Sequence, residues 1–186
     1  MIATLQQVDW SILQWIHSTF QCAVLDTLMP LITLLGDSGA IWIIAALALL
    51  CTKKYRKNGV VLLAALAVGF LIGNVWLKDL IARPRPCWLD TSVPLLISNP
   101  SDYSFPSGHT LSSVIAAVVL TGTNRKFAWA AIPLAVLIAF SRLYLYVHFP
   151  SDVLGAALIG IWIGVLALLA EALILERLHA GKTKLT

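Results

Sequence analysis

The sequence predicts an all-α protein: a polytopic membrane helical bundle of about six helices in one domain (1–186). Three observations carry that prediction. Hydrophobic residues make up 59% of the chain and charged residues only 12%, about half the charged share of a soluble domain. Mean hydropathy is +0.87. The apolar residues fall in successive runs, with short basic or turn-rich stretches between them, as in chains that cross a bilayer repeatedly.

The pI of about 9.1 does not point to nucleic acid, because most Lys and Arg sit in short clusters between apolar runs. Three cysteines, Cys22, Cys51 and Cys87, are an odd number without metal-like spacing. They predict neither a disulfide framework nor a metal site. No basic stretch precedes an apolar core at the N-terminus, so no cleaved signal peptide is expected.

Residues 1–20 lack Lys and Arg and place Leu5, Val8, Ile12, Ile16 and Phe20 at helical spacing. With Trp10 and Trp15 they predict an amphipathic helix lying in the membrane interface. His17 falls on its polar side. The run Cys22–Leu35 is short and holds Asp26 and Pro30. Gly36-Asp37-Ser38-Gly39 reads as a capped turn before the apolar run Ala40–Thr52. A basic loop, Lys53–Lys57, precedes Gly59–Leu77, whose 19 uncharged residues nearly match the ~20 needed to span. Thr110–Thr123, Phe127–Tyr146 and Val153–Ala170 supply the remaining crossings.

Lys53–Lys57, Arg125–Lys126 and Arg177–Lys184 contain nine of the 13 basic residues. Alternating crossings put these groups on one side, and the charge rule makes that side the cytoplasm. The other four, Lys78, Arg83, Arg85 and Arg142, then fall on the outer side, where topology alone gives them no reason to be. Cys87, alone among the cysteines in a long polar loop, should label from that side.

Three clusters gather there. In the first, Lys78 to Pro86, two prolines fix the backbone around Arg83 and Arg85, and such cations suit phosphate oxygens. Asp79 is available to pair with a neighbouring Arg. The stretch 78–109 reads as an outer active-site loop, with Cys87–Asp102 in the headgroup region. The second cluster is Pro106-Ser107-Gly108-His109. Ser107 suits an N-cap, Gly108 lets a ligand approach the backbone, and the helix start makes an anion site. His109 can trade protons near neutrality. The third runs from Ser141 to Asp152. Arg142 lies within a crossing, where an unpaired charge costs at least ~2.5 kcal/mol; its partner is either a carboxylate or a bound anion. Pro150 breaks helical continuity between His148 and Asp152, so Ser151 is expected to cap the last span. Asp152 still lies within reach of one imidazole nitrogen, either to orient it or simply to complement the helix dipole.

Lys78…Arg85-Pro86, Pro106-Ser107-Gly108-His109 and Ser141-Arg142…His148…Asp152 together resemble the signature of the type-2 phosphatidic acid phosphatase family. The resemblance implies an integral membrane lipid phosphatase with a six-helix core and neither metal nor other cofactor. It implies His148 as nucleophile through a phosphohistidine, Asp152 as its orienting carboxylate and His109 as general acid. Lys78, Arg85, Ser107, Gly108 and Arg142 would bind the phosphoryl oxygens. The expected partners are the bilayer and a lipid phosphate or diphosphate, a polyprenyl diphosphate first. Phosphatidylglycerol phosphate and phosphatidic acid remain alternatives. A lipid phosphotransferase would carry the same site, and a vanadate-holding haloperoxidase the same pocket layout in a soluble protein. The expected location is a bacterial cytoplasmic membrane, with the site facing outside.

Overall fold

The computed structural model describes residues 2–183. Of the C-terminal basic group, Lys184 and the side chains of His179 and Lys182 lie outside this description. The helices are α1 (Ile2–Phe20), α2 (Ala23–Gly36), α3 (Ala40–Cys51), α4 (Arg56–Gly69), α5 (Gly108–Thr123), α6 (Ala128–Tyr144) and α7 (Pro150–Thr183). A π-helical stretch, Phe70–Leu77, and a last turn, Lys78–Ile81, prolong α4. No strand occurs among the described residues.

α2 and α3 run on through a three-residue turn in which Ser38 (φ 52°) and Gly39 (φ 69°) are left-handed. The two apolar runs of the sequence therefore form one broken crossing, Ala23–Cys51. Non-helical backbone is tolerated at membrane depth where it lines a cavity. Gly36, Asp37, Ser38 and Gly39 do so. With α2–α3 taken as one, the described residues form six long helices. Four apolar stretches are long enough to cross a membrane: Ala23–Cys51, Arg56–Leu89, Arg125–Tyr144 and Pro150–Arg177. The shorter α5 is the centre of the bundle, packed on α4, α6 and α7.

That packing uses small residues, since lipid offers no hydrophobic force to press helices together. Gly160 and Gly164 of α7 face Val114 and Val118 of α5, and a Cβ on Gly164 would stand 2.8 Å from Val118. Trp42, Leu62, Leu111, Ile115, Val119 and Ile138 fill the core. Trp129, Leu158 and Trp162 point outward, as lipid-facing side chains of a multi-pass membrane protein do.

The two ends differ in chemistry. At one, Asn124 Nδ2 donates to Tyr55 Oη (3.0 Å) and the Lys54 ammonium lies 5.0 Å from the Tyr55 ring centre. This contact gathers the Lys53–Lys57 and Arg125–Lys126 loops. The other end holds the three motif clusters, and α1 packs on α6 and α7 there. α1 turns Asp9, Leu13 and Ile16 inward and leaves Leu5, Val8, Ile12 and Trp15 exposed. Trp10 meets the edge of Phe149, with centroids 5.0 Å apart.

Several boundaries depart from the sequence reading. Pro150 begins α7 as its first residue, where a missing N–H costs nothing, so Ser151 sits in the first turn and does not cap it. α7 also runs well beyond Ala170. Tyr146 is left-handed (φ 61°), and α6 stops at Tyr144. The stretch 78–109 is not a loop throughout, because Lys78–Ile81 and Pro86–Leu89 are helical. Cys87 is buried.

Candidate active site

His148 lies in the connection between α6 and α7 and is 1% exposed. Arg85 Nη1 stands 3.1 Å from its Nε2 and donates to Val147 O at 2.7 Å. A guanidinium has no acceptor atom, so Nε2 must present its lone pair and Nδ1 must carry the proton. Nδ1 lies 3.4 Å from Ser104 Oγ and 3.8 Å from Asp152 Oδ2. Ser104 Oγ in turn donates to Asp152 Oδ2 at 2.5 Å. Asp152 therefore reaches the imidazole through a hydroxyl as well as by charge. Burial drives the His148 pKa well below its ordinary value, and the charges of Arg85, Arg142 and Lys78 push the same way. The ring is neutral at neutral pH.

Lys78, in the last turn of α4, is buried and pairs with Asp102 Oδ2. Arg85 Nη2 holds the other oxygen of Asp102 at 2.7 Å, and its Nε donates to the Asp102 carbonyl at 2.6 Å. Burial raises the Asp102 pKa, but the Lys78 and Arg85 contacts outweigh it and bring it to about 2. Arg142 is 4% exposed and gives Nη1 to Thr33 Oγ1 at 2.5 Å, while its Nε has no hydrogen-bond partner among the described residues. No carboxylate forms an ion pair with it there, which leaves a bound anion as the partner that would meet its cost of burial.

Gly108 and His109 open α5, so their N–H groups have no intrahelical acceptor. Asn74, from the π-helical stretch, comes so close that a Cβ on Gly108 would meet its amide nitrogen at 2.9 Å. π-helical turns often mark functional sites because they displace one side chain from the helical register. His109 Nε2 lies 2.8 Å from Asp37 Oδ1, at the α2–α3 break.

A cavity of about 400 Å³ joins these groups. Lys78, Arg85, Asp102, Gly108, His109, Arg142 and His148 line its polar end. Leu34, Ile43, Leu66, Phe70, Leu111 and Ile115 continue it as an apolar wall along α2 to α5. Two of the sequence-predicted residues stand behind this surface. Asp152 is fully buried beneath His148. Ser107 is fully buried and caps α5, accepting from Thr110 N (3.4 Å) and Thr110 Oγ1 (3.0 Å). Asp79 is not the partner of the neighbouring arginines, which pair with Asp9, Asp152 and Asp102.

Sequence reasoning gave no role to Ser104, Asp37, Asn74, Thr33, Asp102 or Asp9. Asn74 did carry a signal: it is the single strongly polar side chain in the run Gly59–Leu77, and polar groups at membrane depth tend to be functional. Asp37 was visible as the carboxylate of a turn between apolar runs.

Comparison with known proteins gives the family. Residues 58–173 match the PAP2 superfamily. The chain is 37% identical over 153 residues to an undecaprenyl-diphosphatase of Sulfolobus acidocaldarius, covering 82% of this chain and 73% of that protein. It is 31% identical over 164 residues to the undecaprenyl-diphosphatase BcrC of Bacillus subtilis, covering 86% and 82%. The crystal structure of a transmembrane PAP2-type phosphatidylglycerolphosphate phosphatase from Bacillus subtilis superimposes with a TM-score of 0.72 at 28% identity, covering 88% of this chain and 84% of that one. The match takes in all three motif clusters and more than half of the chain, so this protein belongs to the PAP2 superfamily.

Proposed function

We propose that this protein is a lipid phosphatase that cleaves a lipid phosphate or diphosphate through a phosphohistidine, with a polyprenyl diphosphate such as undecaprenyl diphosphate as its substrate. One observation carries the proposal. The cavity begins at three cations and two histidines and continues along apolar side chains of four helices, the outline of a phosphate headgroup with a hydrocarbon tail. The names of the relatives support the same substrate class.

In this reading Lys78, Arg85, Arg142 and the N–H groups of Gly108 and His109 hold the phosphoryl oxygens. Phosphoryl transfer depends chiefly on such charge stabilisation and on in-line placement. Nε2 of His148, the unprotonated ring nitrogen beside Arg85 Nη1, attacks phosphorus as the bond to the leaving oxygen breaks. His109 gives that oxygen a proton. Nδ1–H, backed by Ser104 and Asp152, keeps the positive charge that develops on the imidazole next to a carboxylate. Water then attacks the phosphohistidine and passes a proton to His109. The P–N electron pair returns to Nε2, and inorganic phosphate leaves.

The site sits at the end remote from the basic loops, which the charge rule assigns to the outer face of a cytoplasmic membrane. Likeness to a phosphatidylglycerolphosphate phosphatase favours a second reading, with a glycerophospholipid monoester in the same site. Purified protein should be offered undecaprenyl diphosphate, phosphatidylglycerol phosphate and phosphatidic acid, with released inorganic phosphate as the readout. The diphosphate is expected to give the highest kcat/KM. Transfer of phosphate to a second lipid without release would overturn the hydrolase reading.

A further inference from the structure

We propose that Arg83 and Asp9 are positioning residues for phosphoryl transfer: Asp9 on α1 holds Arg83, and Arg83 holds the carboxylate that orients His148. The inference rests on His148 as nucleophile. It extends the reaction machinery to the N-terminal helix, which lies outside the matched residues 58–173.

Arg83 is a four-way clamp. Its Nη1 donates to Asp152 Oδ1 at 2.6 Å and to Ser151 Oγ at 2.7 Å. Its Nη2 donates to Asp9 Oδ2 and to Gln6 Oε1, both at 2.7 Å. The guanidinium lies 4.3 Å from the ring centre of Phe149, which fixes its plane. Asp9 is 2% exposed and Asp152 is fully buried, so Arg83 is the cation between two desolvated carboxylates. Asp9 also accepts from Ser151 N (2.9 Å) and Ser151 Oγ (2.5 Å), supplying from another helix the cap that the start of α7 lacks.

The consequence for His148 follows from how Asp152 is held. Its Oδ2 accepts from Ser104 Oγ (2.5 Å) and Phe149 N (2.8 Å), and its Oδ1 is held by Arg83. Three donors from three parts of the chain therefore set the angle at which the carboxylate meets the imidazole. Arg83 is the charged one of the three. Without it Oδ1 is a bare buried anion, and the carboxylate can relax only by rotating or by taking up a proton from water. Either change misaligns Nε2. A planar fork is needed to reach acceptors on both sides at once, which a lysine ammonium cannot do.

Arg83→Gln, Arg83→Lys, Asp9→Asn and Arg83→Gln/Asp9→Asn should be purified with the wild type, and their folded fraction matched by thermal unfolding and size exclusion. kcat, KM and the single-turnover burst with nitrophenyl phosphate are then measured. Arg83→Gln is expected to lower kcat and the burst rate by about 100-fold, in the range for outer partners that orient a functional histidine, with KM changed less than about threefold. Asp9→Asn keeps the helix cap but removes the charge, and should lower kcat by about tenfold. Arg83→Lys should recover part of the loss. The double variant should be no slower than Arg83→Gln, because Asp9 acts through Arg83. Wild-type kcat in folded Arg83→Gln, a loss confined to KM, or additive losses in the double variant would each overturn the proposal. Should Arg83→Gln fail to fold, wild-type kcat and burst in folded Asp9→Asn would overturn it equally. Turnover by His148→Ala would instead overturn the underlying nucleophile assignment.

Discussion

Asp102 bridges Lys78 and Arg85 with its two carboxylate oxygens, Oδ1 lying 2.7 Å from Arg85 Nη2. Its pKa of about 2 keeps it ionised at any working pH. A phosphoryl group that uses these two cations must share them with this carboxylate or displace it. Asp102→Asn preserves shape and removes one negative charge beside the anion site. Inorganic phosphate and vanadate should then inhibit about tenfold more tightly, ~1.4 kcal/mol, with the gain shrinking as salt is raised. Weaker inhibition would mean that Asp102 arranges the cations and does not compete for them.

His148 supplies a pH test. Its pKa is lowered, so the imidazole stays neutral and nucleophilic to a pH below the usual 6.5. Once the substrate's own ionisation is allowed for, the acid limb of the nitrophenolate burst should fall below that value. Burial is the first cause and would persist in a variant, whereas the Arg85 charge can be removed. Arg85→Gln should therefore raise the His148 pKa and move the acid limb upward, on a much reduced rate. Arg85→Lys should leave the limb near its wild-type place. An unmoved limb in Arg85→Gln would show that another group sets it.

The residues gathered at this cavity were more legible in the sequence than the contacts that support them. Ser107-Gly108-His109 and Arg142…His148…Asp152 are short-range patterns, and each lies where the chain must turn at a helix end. The His148–Asp152 spacing placed the carboxylate within reach of the imidazole; the distance is 3.8 Å and Ser104 relays it, a residue brought in across 44 positions. Asp9 joins Arg83 across 74 positions, and no local pattern announces such a pairing. The break at Asp37–Gly39 was visible as a turn. That α2 and α3 continue as one crossing was not, because composition does not tell a reversal from a kink.

Topology can be tested with introduced thiols. Cys87 is a poor reporter, being buried with Sγ 3.6 Å from Asn99 Oδ1. Thr91 and Lys126 are exposed and belong to opposite ends. With the native cysteines replaced, Thr91→Cys should react with an impermeant maleimide in intact cells, and Lys126→Cys only after permeabilisation. The opposite pattern would put the catalytic end in the cytoplasm.

Three fixed cations, Lys78, Arg85 and Arg142, line the site and can balance a phosphoryl group's charge by themselves. Phosphate release should therefore persist in excess chelator, and vanadate should inhibit by occupying the phosphoryl position. Loss of activity on chelation, restored by one divalent metal, would sink this expectation.

The two histidines should separate on leaving-group chemistry. On the proposed mechanism His148 forms the bond to phosphorus, so His148→Ala should abolish turnover of every substrate. On the same mechanism His109 serves the leaving oxygen, and a general acid of this kind contributes about 10²–10⁴-fold when that oxygen is a poor leaving group. On a lipid phosphate monoester both alanine variants should look inactive. Nitrophenolate leaves without a proton, so His109→Ala should still release it, as a single burst if water attack also needs His109. His148→Ala should release none. Asp37, 2.8 Å from His109 Nε2, sharpens the test. Asp37→Asn should impair the lipid substrate and spare the nitrophenyl burst, following His109→Ala in kind but to a smaller extent. Equal inactivity of the two histidine variants on nitrophenyl phosphate, or the reverse order, would reassign the acid and the nucleophile.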